Sequence, residues 1–137
     1  MARIIVRNLE GDRYTIGIRD HEVVVDQPVH DGGTDAGPTP TELFVGGLAS
    51  CVAFYAGRFL ERHAIEREGL SVTCDWEMAD ERPNRVGRIE IRLALPAGFP
   101  ADDHARLMAV VEHCTVHNSM VRMPEVHITA EAAPAAA

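Results

Sequence analysis

The fold is decided by the stretch Gly37-Pro38-Thr39-Pro40-Thr41-Glu42-Leu43-Phe44-Val45-Gly46-Gly47-Leu48-Ala49-Ser50-Cys51-Val52-Ala53-Phe54-Tyr55-Ala56. The threonine and proline at its start, followed by a first-turn acid, predict a helix capped by Thr39 with Pro40 at its first position. The residues from Leu43 to Gly57 carry no charge, and they are fewer than the roughly 18 to 20 that a bilayer span needs. We therefore predict a long, buried central helix.

Cys51 lies in the middle of this helix. A helix that is apolar on all sides must be covered on all sides, and its small residues allow neighbouring backbones to approach closely. Spacings of three or four residues place the thiol on one continuous face, formed by Phe44, Leu48, Cys51, Tyr55 and Phe59. Most free cysteines in such a position are small hydrophobic core residues, so the helix alone does not assign any chemistry to Cys51.

The composition excludes several classes of function. The chain has 137 residues, which fits a single domain over residues 1–131 with a frayed tail at 132–137. A net charge of −8 disfavours nucleic acid and anionic membranes as partners. All 13 basic residues are arginine, so Schiff-base chemistry, pyridoxal phosphate attachment and a P-loop are excluded. No glycine-rich nucleotide motif or serine-hydrolase motif is present, and we expect no cofactor.

The amino terminus carries no long apolar segment with a small-residue cleavage site, which favours a cytoplasmic location. The three cysteines are then expected to be reduced thiols unless they perform redox work.

Periodicity and turn residues predict the remaining elements of an α+β fold. Three strands precede the central helix, and a loop rich in glycine and proline delivers the chain to it. Two strands, two helices and a last strand follow, in the order β-β-β-α-β-β-α-α-β. The predicted strands are 3–9, 13–18, 21–26, 70–78, 86–95 and 126–129, and the later helices run from Asp102 or Asp103 to about Cys114 and over 115–123.

The cysteines leave several chemistries open. Cys51 and Cys114 are 63 positions apart, so no CxxC redox or zinc motif applies. A metal site could use Cys51 with His113, Cys114 and His117, although Cys114 would point about 100° away from His113 on a helix. A thiol peroxidase needs one cysteine held as a thiolate and a second thiol that traps its sulfenic acid. Cys74 shares one face of its strand with Val72, Trp76 and Met78, and this face is expected to point into the core.

Two segments together resemble the OsmC/Ohr family of thiol-dependent hydroperoxide reductases. They are Asp31-Gly32-Gly33-Thr34-Asp35-Ala36-Gly37-Pro38-Thr39-Pro40-Thr41-Glu42-Leu43-Phe44 continued by Leu48-Ala49-Ser50-Cys51, and Cys114-Thr115-Val116-His117-Asn118-Ser119. The likeness covers about residues 3 to 130. It implies an interlocked α+β homodimer with two active sites at the interface.

The resemblance also implies the site residues. The family's peroxidatic cysteine falls on Cys51 and its resolving cysteine on Cys114. Cys51 would attack an organic hydroperoxide, and its sulfenic acid would condense with Cys114 to a disulfide that a dithiol then reduces.

This sequence departs from the family pattern at two points. The catalytic glutamate of the best-understood branches stands ten residues before the first cysteine, where this chain has Thr41, and the acid here is Glu42. Nine residues on one helix put Glu42 about 180° from Cys51, so Glu42 would serve the partner's site or simply complement the helix dipole. For the family's active-site arginine, Arg13 and Arg19 are candidates, and we select Arg19.

An alternative function is a dimeric binding or thiol-transfer module that keeps the fold without efficient peroxidase activity. Peroxide consumption in the presence of a dithiol distinguishes the two functions.

Overall fold

A computed structural model describes residues 1–134 as an α+β fold, as predicted. The last three residues of the predicted tail, 135–137, lie outside the described residues. The regular elements are β1 (Ile4–Glu10), β2 (Arg13–Ile18), β3 (His21–Val25), α1 (Pro40–Arg62), β4 (Ser71–Met78), β5 (Val86–Ala94), α2 (His104–Val111) and α3 (Thr115–Val121). Short 3-10 turns at Val29–Asp31 and Ala101–Asp103 precede α1 and α2.

The strands form two separate antiparallel sheets. One is the meander β1-β2-β3, in which Ile18 pairs with Ile4 of β1 and with His21 of β3. The other is the hairpin β4-β5, in which Cys74 lies opposite Ile91.

The central helix begins where the capping residues predict. The Thr39 hydroxyl accepts the backbone N–H of Glu42 at 3.1 Å, and the Glu42 carboxylate accepts the backbone N–H of Thr39 at 2.9 Å. This reciprocal pair satisfies two amides that the first turn would leave without partners. Pro40 takes the first helical position, where its missing N–H costs nothing.

The hydrophobic core lies between α1, the β4-β5 hairpin and the two carboxyl-terminal helices. Its buried residues are Leu48, Val52, Ala56, Phe59 and Leu60 of α1, with Leu107, Val111 and Cys114. α1 is long and apolar enough to cross a membrane. The core helices of globular proteins often meet the same criterion of length and composition. One face of α1, carrying Gly46, Ser50 and Phe54, is exposed in the single chain.

The meander β1-β2-β3 is not part of this core. None of its three strands packs substantially against α1, α2, α3 or the β4-β5 hairpin. Apolar side chains of β1 stay exposed, with Ile4 at 58% and Val6 at 56%. The apolar side chains of β1 thus lie outside the core of the described chain.

The strand predicted at 126–129 is not formed. Residues 123–134 have no regular secondary structure, and Ile128 is 90% exposed. A strand needs a hydrogen-bonding neighbour, and this segment pairs with neither sheet of its own chain. The alternation of side chains was therefore not sufficient to predict a strand here.

The loop between β3 and α1 is organised around the buried Asp26. Its carboxylate accepts the Thr34 hydroxyl at 2.6 Å and the backbone N–H groups of Gln27, Thr34 and Ala36 at 2.8, 3.2 and 3.0 Å. These hydrogen bonds, led by that of the Thr34 hydroxyl, hold the pKa of Asp26 at about 2, against the opposing effect of burial. One ionised side chain thus fixes the path by which the chain reaches α1.

Asp26→Asn should lower the melting temperature at neutral pH. One carboxylate oxygen of Asp26 accepts three of these hydrogen bonds, and an amide offers in its place either an NH₂ donor or a weaker acceptor. A carboxyl whose pKa is depressed in the folded state contributes stability above its unfolded pKa and loses it as pH falls through the folded value. The difference from wild type should therefore shrink between pH 3.8 and about 2. Thermal unfolding across this range measures it, with Asp12→Asn in an exposed turn as control. A difference that does not depend on pH contradicts this role of Asp26.

Candidate active site

The structure brings the thiols of Cys51 and Cys114 together. Cys51 is half-buried in the middle of α1, and Cys114 is fully buried, at 0% exposure, between α2 and α3. Cys51 packs against the core cluster that contains Cys114, and both are free thiols. Two residues 63 positions apart in sequence thus form one dithiol pair.

The environment of Cys114 keeps its thiol protonated. Burial raises the pKa of Cys114, and the N–H of His117 opposes this in part. The neighbouring Cys51 raises the pKa further, through its hydrogen bond to Cys114 and through its charge once it ionises. In this pair Cys114 is therefore poorly suited to act as the attacking thiolate.

Cys114 is positioned by the turn that starts α3. Cys114 is the N-cap of α3, and its sulfur accepts the backbone N–H of His117 at 3.4 Å. The His117 ring nitrogen Nδ1 lies 2.6 Å from the Glu112 carbonyl, and the Asn118 amide donates to the His113 carbonyl at 3.0 Å. These hydrogen bonds connect the start of α3 to the residues that follow the end of α2.

An open pocket of about 230 Å³ lies between α1, β5 and the carboxyl-terminal helices, and neither Cys51 nor Cys114 lines it. Its walls include Leu48 and Val52, which flank Cys51 on α1, and Val111 and His117, which flank Cys114. Ile89, Ile91 and Leu93 of β5 form the opposite wall. The pocket is mostly apolar, and its size fits a small organic molecule rather than a macromolecule.

The other two predicted site residues lie elsewhere in this chain. Glu42 is exposed, and its carboxylate is engaged in the capping box with Thr39. Arg19 is exposed in the turn between β2 and β3, with a positive φ of 52°, on the sheet that does not pack against α1. Arg13 forms an ion pair with Glu10 on the same sheet. Within one chain the dithiol is therefore not assembled together with Glu42 or either arginine.

The histidines near Cys114 do not form a metal site. Over residues 1–134, no cluster of three or more His, Cys, Asp or Glu side chains could hold a metal ion.

Cys74 lies apart from the dithiol pair. It is half-buried on β4, where burial and then the charge of Asp75 raise the pKa of its thiol. The strand face that was expected to point into the core is exposed at Trp76 and Met78.

Sequence reasoning missed one polar contact beside the thiols. Tyr55, predicted only as part of an apolar face, has its hydroxyl 2.8 Å from the hydroxyl of Thr115. The spacing of Tyr55 four residues after Cys51 was visible in the sequence, but its partner 60 positions away was not.

Comparison with known proteins assigns the family. A family model described as OsmC-like protein matches residues 32–129, which contain both cysteines of the pair. The chain belongs to the OsmC-like family. No curated protein matches the sequence.

Solved structures share this OsmC-like fold at low sequence identity. A putative osmotic stress induced and detoxification response protein from Psychrobacter arcticus is 22% identical with a TM-score of 0.78, over 87% of this chain and 88% of that chain. An organic hydroperoxide resistance protein OsmC from Legionella pneumophila is 19% identical with a TM-score of 0.64, over 88% and 90%. An organic hydroperoxide resistance protein from Elizabethkingia anophelis is 20% identical with a TM-score of 0.62, over 88% and 89%. These likenesses establish the fold.

Proposed function

We propose that the protein is a thiol-dependent peroxidase that reduces organic hydroperoxides with Cys51 and Cys114. The observation that carries the proposal is the dithiol pair itself, formed by two free thiols that come from distant segments of the chain and lie within hydrogen-bonding reach of each other. Membership in the OsmC-like family supports a hydroperoxide-related redox role, as do structural neighbours described as organic hydroperoxide resistance proteins. The reaction needs no cofactor, because the thiols supply the electrons.

The proposed reaction has three steps. The Cys51 thiolate attacks the terminal oxygen of the hydroperoxide, so that an S–O bond forms, the O–O bond breaks and the alkoxide takes up a proton to leave as an alcohol. Cys114 then attacks the sulfenic sulfur of Cys51, and water leaves as the disulfide forms. A dithiol reductant returns both cysteines to thiols by exchange.

The pKa of Cys114 fits the resolving role. A thiol held protonated by burial does not compete with Cys51 for the peroxide. It can still attack the sulfenic acid, because the leaving hydroxide accepts its proton as water forms. The raised pKa of Cys114 therefore supports the proposal that Cys114 is the resolving thiol.

We infer that two copies of the chain interlock as a homodimer. The apolar meander β1-β2-β3 and the exposed face of α1 at Gly46, Ser50 and Phe54 are left uncovered by their own chain. The small residues on α1 allow a second helix to approach closely. Arg19 and Glu42, which lie away from their own dithiol, are proposed to contribute to the site at the dimer interface. The protein is proposed to act in the cytoplasm, where its thiols can be reduced again.

Sedimentation at micromolar concentration should give twice the chain mass of 15.0 kDa, because burial of these apolar surfaces favours association. Phe54→Glu should shift the mass towards the monomer, since a charge would be buried against the partner. Glu68, which lies in an exposed turn, offers a matched control as Glu68→Gln. A wild-type species near 15.0 kDa contradicts the homodimer.

The peroxidase proposal is tested by treating reduced protein with one equivalent of cumene hydroperoxide. Peptide mass spectrometry should find a Cys51–Cys114 disulfide, with Cys74 still a free thiol. In Cys114→Ser the same treatment should give sulfenic acid at Cys51, followed by sulfinic acid as more peroxide is added, because nothing traps the first product. If Cys51 remains a free thiol in the folded wild-type protein, the peroxidase proposal is wrong and a binding or thiol-transfer module replaces it.

A further inference from the structure

A second link runs beside the dithiol pair. Tyr55 lies on α1 four residues after Cys51, so both side chains are on the same side of the helix. Thr115 follows Cys114 directly and is the first residue of α3. The hydroxyl oxygens of Tyr55 and Thr115 are 2.8 Å apart, which is an ordinary hydrogen-bond distance. Tyr55, near Cys51, is therefore hydrogen-bonded to Thr115, which is next to Cys114.

This hydrogen bond differs from the other polar contacts around Cys114. The bonds of His117 and Asn118 join α3 to the end of α2 and do not reach α1. Among the residues that the structure describes, the Tyr55–Thr115 pair joins the first residue of α3 to α1 by a hydrogen bond, in addition to the contact between the two thiols. Tyr55 is half-buried against the core, so its ring is already held by packing. The pair thus fixes the two thiol-bearing elements relative to each other.

We propose that Tyr55 and Thr115 are positioning residues that hold Cys114 where it can trap the Cys51 sulfenic acid. This inference rests on the proposed peroxidase function. Neither hydroxyl takes part in bond making. Their effect is on geometry, because a disulfide needs a narrow range of sulfur–sulfur distances and torsions. Groups held in a reactive geometry react far faster than groups that must first find it.

The consequence is a choice between two fates of the sulfenic acid. In resolution, the Cys114 sulfur bonds to the Cys51 sulfur, the S–O bond breaks, and the thiol proton leaves with the hydroxide as water. In overoxidation, a second hydroperoxide transfers an oxygen to the sulfenic sulfur, its O–O bond breaks, and sulfinic acid and an alcohol result. If the Tyr55–Thr115 hydrogen bond accelerates resolution and not overoxidation, it raises the ratio of disulfide to sulfinic acid at a given peroxide concentration.

The test measures this ratio by mass spectrometry after exposure of the reduced full-length protein to an excess of cumene hydroperoxide. Tyr55→Phe removes only the phenol oxygen, and Thr115→Val removes the hydroxyl at nearly constant volume. Each should lower the ratio of disulfide to sulfinic acid roughly 2- to 10-fold, the factor that one neutral hydrogen bond supplies. The double variant should be no worse than either single variant, because both remove the same bond.

Three controls separate positioning from a general loss of structure. Thr115→Ser keeps the hydroxyl and should keep the wild-type ratio. Thr73→Val removes an exposed hydroxyl on β4, outside the pair, and should also keep it. The rate of sulfenic acid formation at Cys51 is measured in Cys114→Ser proteins with Tyr55 or Phe at position 55. An equal rate shows that a change in the ratio arises after the first step.

The outcomes are distinguishable. A wild-type ratio in both Tyr55→Phe and Thr115→Val, in a protein that does form the disulfide, overturns the positioning role. A wild-type protein that forms no Cys51–Cys114 disulfide overturns the peroxidase proposal itself. Thr115 is exposed, so its variants keep the test open even where Tyr55→Phe unfolds.

Discussion

Cys51→Ser is expected to abolish peroxide consumption while the protein remains folded. Serine has nearly the volume of cysteine, and position 51 is half-buried rather than fully enclosed, so the core tolerates the exchange. A serine hydroxyl without an adjacent base is not ionised near neutral pH and does not attack an O–O bond. Removal of a sole nucleophile should lower the rate by about a thousandfold or more.

The measurement is consumption of cumene hydroperoxide with an excess of dithiol, alongside a circular dichroism spectrum of each protein. Cys74→Ala is the matched control, because Cys74 is a half-buried thiol on β4 outside the dithiol pair. It should retain near wild-type turnover with some loss of stability from the missing sulfur. Turnover that persists in Cys51→Ser contradicts the assignment of the nucleophile, and a folded but inactive Cys74→Ala makes Cys74 the resolving thiol.

Gly33→Ala should strongly destabilise the loop before α1. A Cβ atom at position 33 would lie 2.1 Å from the Gln27 carbonyl oxygen and 2.8 Å from a carboxylate oxygen of Asp26. Both atoms are held in place, the first because it belongs to the backbone and the second because it accepts the backbone N–H of Gln27 at 2.8 Å. The loop must therefore open, at a cost of about 3 kcal/mol or more.

Urea unfolding of the two proteins gives this cost as a shift in the transition midpoint. Gly17→Ala on β2 is the control, since its Cβ would meet the Ile5 carbonyl oxygen at an ordinary 3.6 Å. That variant should be neutral or slightly stabilising, because alanine lowers the entropy of the unfolded chain. Equal midpoints for Gly33→Ala and wild type would show that the loop adapts freely, which contradicts the organising role of Asp26.

The sequence predicted the elements whose signals are local. The start of α1 follows from Thr39, Pro40 and Glu42, whose capping contacts involve residues at most three positions apart. The strands β2 and β5 follow from alternation and from their turns, and their bounds agree within one residue. The segment 126–129 alternates equally well, yet it forms no strand because pairing depends on a neighbour that the pattern does not contain.

The candidate site depends on contacts that no local pattern encodes. The spacing of Cys51 and Cys114 excluded a CxxC motif, but their meeting required the packing of α3 against α1. The Tyr55–Thr115 hydrogen bond arises from the same packing. The sequence is compatible with a role of Glu42 at the helix dipole or in the partner's site, and in the single chain its carboxylate accepts the backbone N–H of Thr39.

The exposed meander β1-β2-β3 also determines how the stability of this protein depends on its concentration. The apolar side chains of β1, which stay exposed in their own chain, are covered only when a second molecule binds. For the proposed homodimer, folding and association then form one equilibrium that obeys mass action, and no single free energy of unfolding belongs to the chain alone. Dilution would shift this equilibrium towards single chains, in which the first three strands lack a packing partner, and would therefore lower the stability of the protein.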